Sequence, residues 1–136
     1  MMNLTLPWPP TANTYWRHPT VGKLAGRHLI SEQGREYRAE VVRLLHGCEK
    51  YTGPIAVHIM AYMPDRRRRD LDNLFKSLLD SLTHAGVWDD DSQICDLRIT
   101  KAPTIAGMVK VQIFEFDELG FSPNHKKVKN EHSKQN

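Results

Sequence analysis

Between residues 71 and 82, Leu71, Leu74, Phe75, Leu78, Leu79 and Leu82 fall at i, i+3, i+4, i+7, i+8 and i+11. An apolar stripe at this period predicts an amphipathic helix resting on a core, closed by Gly86. Its other side carries Asp72, Asn73, Lys76, Ser77, Asp80 and Ser81. A second helix is predicted from Ser31 as N-cap through "SEQGREYRAEVVRLLHG", where Tyr37, Val41, Leu44 and Leu45 recur at helical spacing and Gly47 marks the end, despite Gly34 inside it. Alternation by two marks the strands. "PIAVHIMAYMP" sets Ile55, Val57 and Ile59 against Ala56, His58, Met60 and Tyr62, which predicts a strand covered on both faces and ended by Pro64. "NLTLP" predicts a short first strand, while "ICDLRITK" and "MVKVQIFEF" predict two more, joined through "APTIAG" as a hairpin. The proline-rich "PWPPT" and the segment after it carry few helix or strand signals and read as loop.

The order β-α-β-α-β-β predicts an α+β domain over residues 4–117, with two main helices packed on one small mixed sheet. Residues 118–136 read as a basic, disordered tail, since Val128 is the only aliphatic residue among the last fifteen.

A length of 136 residues with 40% hydrophobic content suits one domain with a real core and is too short for two. No stretch approaches the roughly 18 consecutive apolar residues of a spanning helix, and "MMNLTLPWPPT" lacks the basic start and apolar run of a signal peptide. No membrane partner and a cytoplasmic location are therefore expected. Cys48 and Cys95 are too few for a disulfide framework and lack metal-ligand spacing, so buried free thiols are expected. The net charge of +3 resides in the tail: residues 1–121 hold 15 basic and 15 acidic residues, and residues 122–136 hold four lysines and one glutamate. Affinity for nucleic acid must then rest on local clustering.

That clustering lies in "MPDRRRRDLDNLFKSLLDSL", where Arg66, Arg67, Arg68 and Arg69 precede Asp70 and Asp72 at a helix start. Ordinary roles are available to each acid. Asp70 or Asp72 can cap the helix, Asp72 can pair with Lys76 four residues on, and Asp90 with Gln93 has the pattern of a capping box. Together the ordinary roles leave too much unused, because one aspartate suffices for a cap and four adjacent guanidinium groups call for anions nearby. Phosphates are their natural external partner. A second acidic group, Asp89 to Asp91, follows the turn at Gly86. Carboxylates with no His or Cys at ligand spacing suit a hard cation such as Mg²⁺ or Mn²⁺, which would bridge them to a phosphate. Lys76, one turn beyond Asp72, could stabilise charge on that phosphate. Phosphodiester hydrolysis needs this combination. Asp80, two turns past Asp72, reads as a solvated helix residue. Trp8, Tyr15 and Trp16, beside Arg17 and His18, could stack on bases or pack under the loop, and Trp88 reads as core or dimer interface.

The string "MPDRRRRDLDNLFKSLLDSLTHAGVWDDDSQI", with the upstream "LTLPWPPTANTYWRH", resembles the RusA family of Holliday junction resolvases, found in bacteria and their prophages, from about Leu4 to Phe116. The resemblance implies a homodimeric, Mg²⁺-dependent endonuclease that cuts four-way DNA junctions by paired nicks, in recombination and repair, with Mn²⁺ able to substitute. It implies Asp70, Asp72 and Asp91 as metal-binding carboxylates and Lys76 as the catalytic cation. Arg66 to Arg69, Asn73 and Arg17 are the candidate DNA contacts. "WDDDSQ" departs from the family pattern by an acidic residue at Asp89, so the ligand among Asp89, Asp90 and Asp91 stays open. Two other readings compete. One is a DNA-binding module without catalysis, whose arginines hold phosphates while the aspartates only cap. The other is a sugar-nucleotide transferase using the Asp-x-Asp pair, for which the chain is too small.

Overall fold

A computed structural model of the chain describes residues 1–116, so the predicted tail lies outside the described residues. The strands are β1 (Met2–Pro7), β2 (Trp16–Arg17), β3 (Leu29–Ile30), β4 (Ile55–Tyr62), β5 (Ile94–Lys101) and β6 (Met108–Glu115). The helices are α1 (Ala12–Tyr15), α2 (Glu32–Leu44) and α3 (Asp72–His84), with a 3₁₀ turn at Asp91–Gln93 before β5. The main elements follow the predicted order and build a four-stranded mixed sheet, β1-β6-β4-β5, with α2 and α3 packed side by side. The segment expected to be loop adds α1 and the short β2–β3 ribbon.

The predicted hairpin does not form. β5 pairs parallel with β4, and β6 pairs antiparallel with β4 on its other side and with β1 beyond. "APTIAG" is instead an arch over the end of β4, with Ala106 and Gly107 N–H donating to the Met63 carbonyl and Ala102 N–H to Ala61. The β4–α3–β5 crossover leaves β5 parallel to β4, and the most buried alternating strand takes the centre. That strand is covered by helices on one face only. Val57, Ile59 and Ala61 lie in the core with Leu6, Val109, Val111 and Ile113, whereas Met60 on the opposite face is exposed.

α3 buries Leu74, Leu78, Leu79 and Leu82, in agreement with the predicted stripe. Gly86 at φ +82° makes the left-handed turn that ends it. α2 begins as expected at Ser31, whose hydroxyl accepts from Gly34 N–H and donates to the Tyr15 carbonyl at 3.0 Å. A Cβ on Gly34 would stand 2.6 Å from that carbonyl oxygen, so the glycine inside α2 allows the helix to press against α1. Cys48 and Cys95 are free thiols, but both are exposed, contrary to the expectation of burial.

Candidate active site

The end of β4, the arginine segment and the start of α3 form one edge of the molecule. Asp65 organises the segment. Its carboxylate accepts from Arg69 Nη2 at 2.8 Å and from the Arg67 backbone N–H at 2.9 Å. The Arg69 guanidinium first, and that backbone bond second, hold the Asp65 carboxyl below its ordinary range. Arg69 is thereby folded back and half-buried, while Arg66, Arg67 and Arg68 are exposed. Arg67 retains a loose pairing to Asp65 at 3.8 Å, and Arg66 and Arg68 have no carboxylate partner among the described residues. The cluster is therefore divided between internal neutralisation and two unpaired cations directed to solvent.

Asp70 and Asp72 are both exposed, and neither takes the ordinary role offered by the sequence. The residue at the α3 N-cap position is Leu71, with no side-chain cap, and the Asp72–Lys76 ion pair does not form. Among the described residues both carboxylates and the Lys76 ammonium lack a side-chain partner. A cleft of about 280 Å³ opens beside Asp70, lined also by Trp8, Thr11, Arg68, Arg69, Asn73 and Leu74; Asp72 and Lys76 are not among its lining residues. Ser77, buried in α3, donates to the Pro10 carbonyl at 2.6 Å and so fastens the proline segment, with Trp8 and Thr11, over the first turns of the helix. Trp8 packs partly against the core while forming this wall. Arg17 lies on the β2–β3 ribbon and lines a separate shallow recess with His18 and Pro19. Of the expected DNA contacts Arg68, Arg69 and Asn73 line the cleft, Arg66 and Arg67 lie just before them in the chain, and Arg17 is on a different element.

The second acidic group has three different members. Asp89 pairs with Lys50. Asp90 caps the 3₁₀ turn and forms the predicted capping box with Gln93; the Ser92 hydrogen bonds hold its carboxyl below the ordinary range. Asp91 Oδ1 accepts from the Thr83 hydroxyl and from Trp88 Nε1 at 3.1 Å, and its Oδ2 has no partner among the described residues. Trp88 is fully buried core, so the indole acts as a fixed support for that carboxylate. This orientation by neighbours is typical of metal-ligating carboxylates. Sequence reasoning missed the clamp: the spacing of Thr83 and Trp88 to Asp91 was visible, but the direction of their polar atoms was not.

Asp91 does not reach Asp70 and Asp72 within one chain. It is tied to the last turn of α3, and Thr83 is eleven residues beyond Asp72, roughly 16 Å along the axis at 1.5 Å per residue. No group of three metal-ligating side chains gathers among the described residues. Asp70 and Asp72, two free carboxylates two residues apart, are hard oxygen ligands of the type suited to Mg²⁺ but incomplete as a set. Asp80, expected to be solvated, is half-buried between helices, where Arg38 Nη2 reaches it at 2.6 Å and the Tyr15 hydroxyl donates to it. Burial first, and the hydrogen bond to Asp80 second, push the Tyr15 phenol up to about 12. Tyr15 is fully buried and Trp16 packs edge-on against it, so packing is the role of this aromatic pair.

A family model described as endodeoxyribonuclease RusA matches residues 7–114. A crossover junction endodeoxyribonuclease of Enterobacteria phage 82 is 46% identical over 108 residues, covering 77% of this chain and 86% of the phage protein. Its namesake in Escherichia coli strain K12 is 44% identical with the same coverage. Another, from Escherichia coli O139:H28, is 41% identical over 120 residues, covering 85% of this chain and 96% of the relative.

Proposed function

This chain belongs to the RusA endodeoxyribonuclease family, and from that premise we propose that it resolves four-way DNA junctions by Mg²⁺-dependent paired nicks, acting as a two-fold dimer. The observation that carries the reading is a pair of unpartnered carboxylates, Asp70 and Asp72, in one short segment with unpaired Arg66 and Arg68, of which Asp70 and Arg68 line one cleft. A carboxylate pair facing solvent next to exposed guanidinium groups has no stabilising role in the fold, and it suits a phosphate held together with a divalent cation.

Asp70 and Asp72 would hold Mg²⁺, with Mn²⁺ able to replace it. When bound, the ion polarises the phosphate and lowers the pKa of a water. Arg66 and Arg68 bind flanking phosphates and set the register of the backbone across the cleft. Lys76 presents its ammonium to the charge that develops on the phosphate. Asn73 lines the cleft and can hydrogen-bond the DNA backbone, and Trp8 offers an aromatic wall. Arg17, on the ribbon, engages a more distant phosphate.

One chain carries one such pair, and a junction is resolved by two symmetric nicks, so two copies related by a two-fold axis match the substrate. The same assembly can complete the ligand set. Asp91, held with one oxygen free, is too far from its own Asp72 but is available to a neighbour.

The test is cleavage of a synthetic four-way junction beside a linear duplex of the same sequence, with Mg²⁺ and with chelator. Paired nicks in the junction alone, abolished by chelation and by Asp72→Asn without loss of junction binding, are the expected result. Binding with no scission under any metal would favour the non-catalytic module. Full turnover by Asp72→Asn would remove the carboxylate role.

A further inference from the structure

The β2–β3 ribbon holds a pair of imidazoles that the proposed nuclease site does not use. Arg17 pairs with Leu29 across the ribbon, so His18 and His28 occupy the next facing positions. Beyond them the Gly26 N–H donates to the Pro19 carbonyl at 2.9 Å, closing the turn on the far side. The two residues are therefore framed by a strand pair and a backbone hydrogen bond. A run of aromatic rings sets their tilt. Trp16 lies edge-on to buried Tyr15, His28 lies against Trp16 with centroids 4.2 Å apart, and His18 lies against His28 at 4.6 Å. In this arrangement Nδ1 of His18 stands 3.3 Å from Nδ1 of His28, and both residues are exposed.

We propose that this pair is a binding site for a divalent cation of the zinc class, separate from the carboxylates that would take Mg²⁺. Zinc binds imidazole nitrogen at about 2.0–2.1 Å, and two such bonds at the tetrahedral angle place the nitrogens about 3.3–3.4 Å apart. The two Nδ1 atoms stand at that separation. Without metal, one Nδ1 carries a proton and donates it to the lone pair of the other. The cation takes the place of that proton and exchanges two of its waters for the two nitrogens. The displaced proton passes through solvent to Nε2 of the same ring, so a neutral pair binds the ion with no change in its proton count.

Imidazole suits zinc, copper and nickel, whereas Mg²⁺ is held through oxygen, so the two places in the molecule sort two kinds of cation. No group of three His, Cys, Asp or Glu side chains gathers there among the described residues, and water fills the remaining positions. With two protein donors the ion is exchangeable and acts as a clip. It ties together the two ends of the exposed turn over residues 19–27, in which Gly22 and Gly26 take left-handed backbone angles of φ +83° and +79°. Steadying that turn steadies Arg17 beside it. Only this last consequence rests on the nuclease reading, which gives Arg17 a distant phosphate; the binding of the ion does not.

The experiment uses the full chain with Cys48→Ser and Cys95→Ser, because the two exposed thiols would compete for zinc. Zn²⁺ is titrated against excess Mg²⁺, which occupies oxygen donors, and the imidazole nitrogens are followed by NMR in ¹⁵N-labelled protein. Nδ1 of His18 and Nδ1 of His28 should shift together and saturate at equimolar zinc, ahead of His46, His58, His84, His125 and His132. Mg²⁺ alone should move neither. Zinc affinity, read by competition with a chromogenic chelator, should fall by about tenfold or more in His18→Ala and equally in His28→Ala, since each loses half of one chelate, and should be unchanged in His46→Ala. Amide exchange over residues 19–27 should slow with zinc when both histidines are present and in neither variant. Zinc taken first by another imidazole, a shift at Nε2 without Nδ1, a shift caused by Mg²⁺ alone, or an affinity indifferent to either substitution overturns the proposal. Should a variant misfold, the shifts with both histidines in place decide it. Cleavage is not the readout, so failure of the nuclease reading would leave this site standing.

Discussion

Mixing Asp70→Asn with Asp91→Asn tests whether the catalytic carboxylates come from one chain or two. Carboxylates that share one Mg²⁺ lie with oxygens about 2.0–2.1 Å from it, whereas roughly 16 Å of helix separates Asp72 from Thr83, the residue that holds Asp91. Side-chain reach cannot close that gap. If the sites are shared, each homodimer has the same defect at both sites and should be inactive. In a mixed dimer one site carries both substitutions and the other carries none. Random association makes half of the dimers mixed, each with one intact site, so about a quarter of the wild-type site concentration should return. On a supercoiled cruciform plasmid the product should be nicked circles rather than linear DNA, since the second strand has no competent site. Differential tags allow the mixed dimer to be isolated and its composition verified. Continued inactivity of a verified mixed dimer that still binds the junction would refute the shared site and confine catalysis to one chain.

Arg66→Ala and Arg68→Ala should each flatten the salt dependence of junction binding by about one unit of log–log slope, while Arg69→Ala, which removes the guanidinium folded onto Asp65, should change the slope less; equal effects at all three would show that the internal pairing is lost on binding. Trp88→Phe keeps the core filled and removes the Nε1 donor to Asp91, so turnover and Mg²⁺ affinity should fall together by about 10- to 100-fold with circular dichroism unchanged; undiminished metal affinity would leave Trp88 a packing residue. Asp80→Asn breaks the half-buried pair with Arg38 and should lower stability in urea by about 1–3 kcal/mol without altering cleavage at saturating metal; lost cleavage with normal stability would count Asp80 as part of the site. The Tyr15 phenol, raised from 10.0 to about 12 by burial, favours the folded state at neutral pH, and that contribution should disappear as pH rises from about 10 through 12. Tyr15→Phe should blunt this alkaline loss, and an identical pH–stability profile would assign it to other groups.

Local chemistry made much of this protein legible from its sequence. The leucine stripe of α3, the Ser31 cap and the Asp90–Gln93 box depend on contacts within a few residues, and all appear where the pattern places them. The concentration of Asp70, Asp72 and four arginines in one segment was equally visible, because neighbours in sequence are neighbours in space. Long-range pairing was not. Alternation marks β5 and β6 as strands but does not say which strand lies between them, and a short link between two strands suggests a hairpin until the crossover through α3 claims β4's flank for β5. Nor does a carboxylate's residue type reveal its duty. Asp80 was drawn partly out of solvent by Arg38 on another helix, and Asp89, Asp90 and Asp91, adjacent in sequence, were separated into a surface pair, a cap and a clamped acid by partners at Lys50, Ser92 and Trp88. The rigid length of α3 decided the last point, since it carries Asp91 away from Asp70 and Asp72 by a distance that no side chain spans.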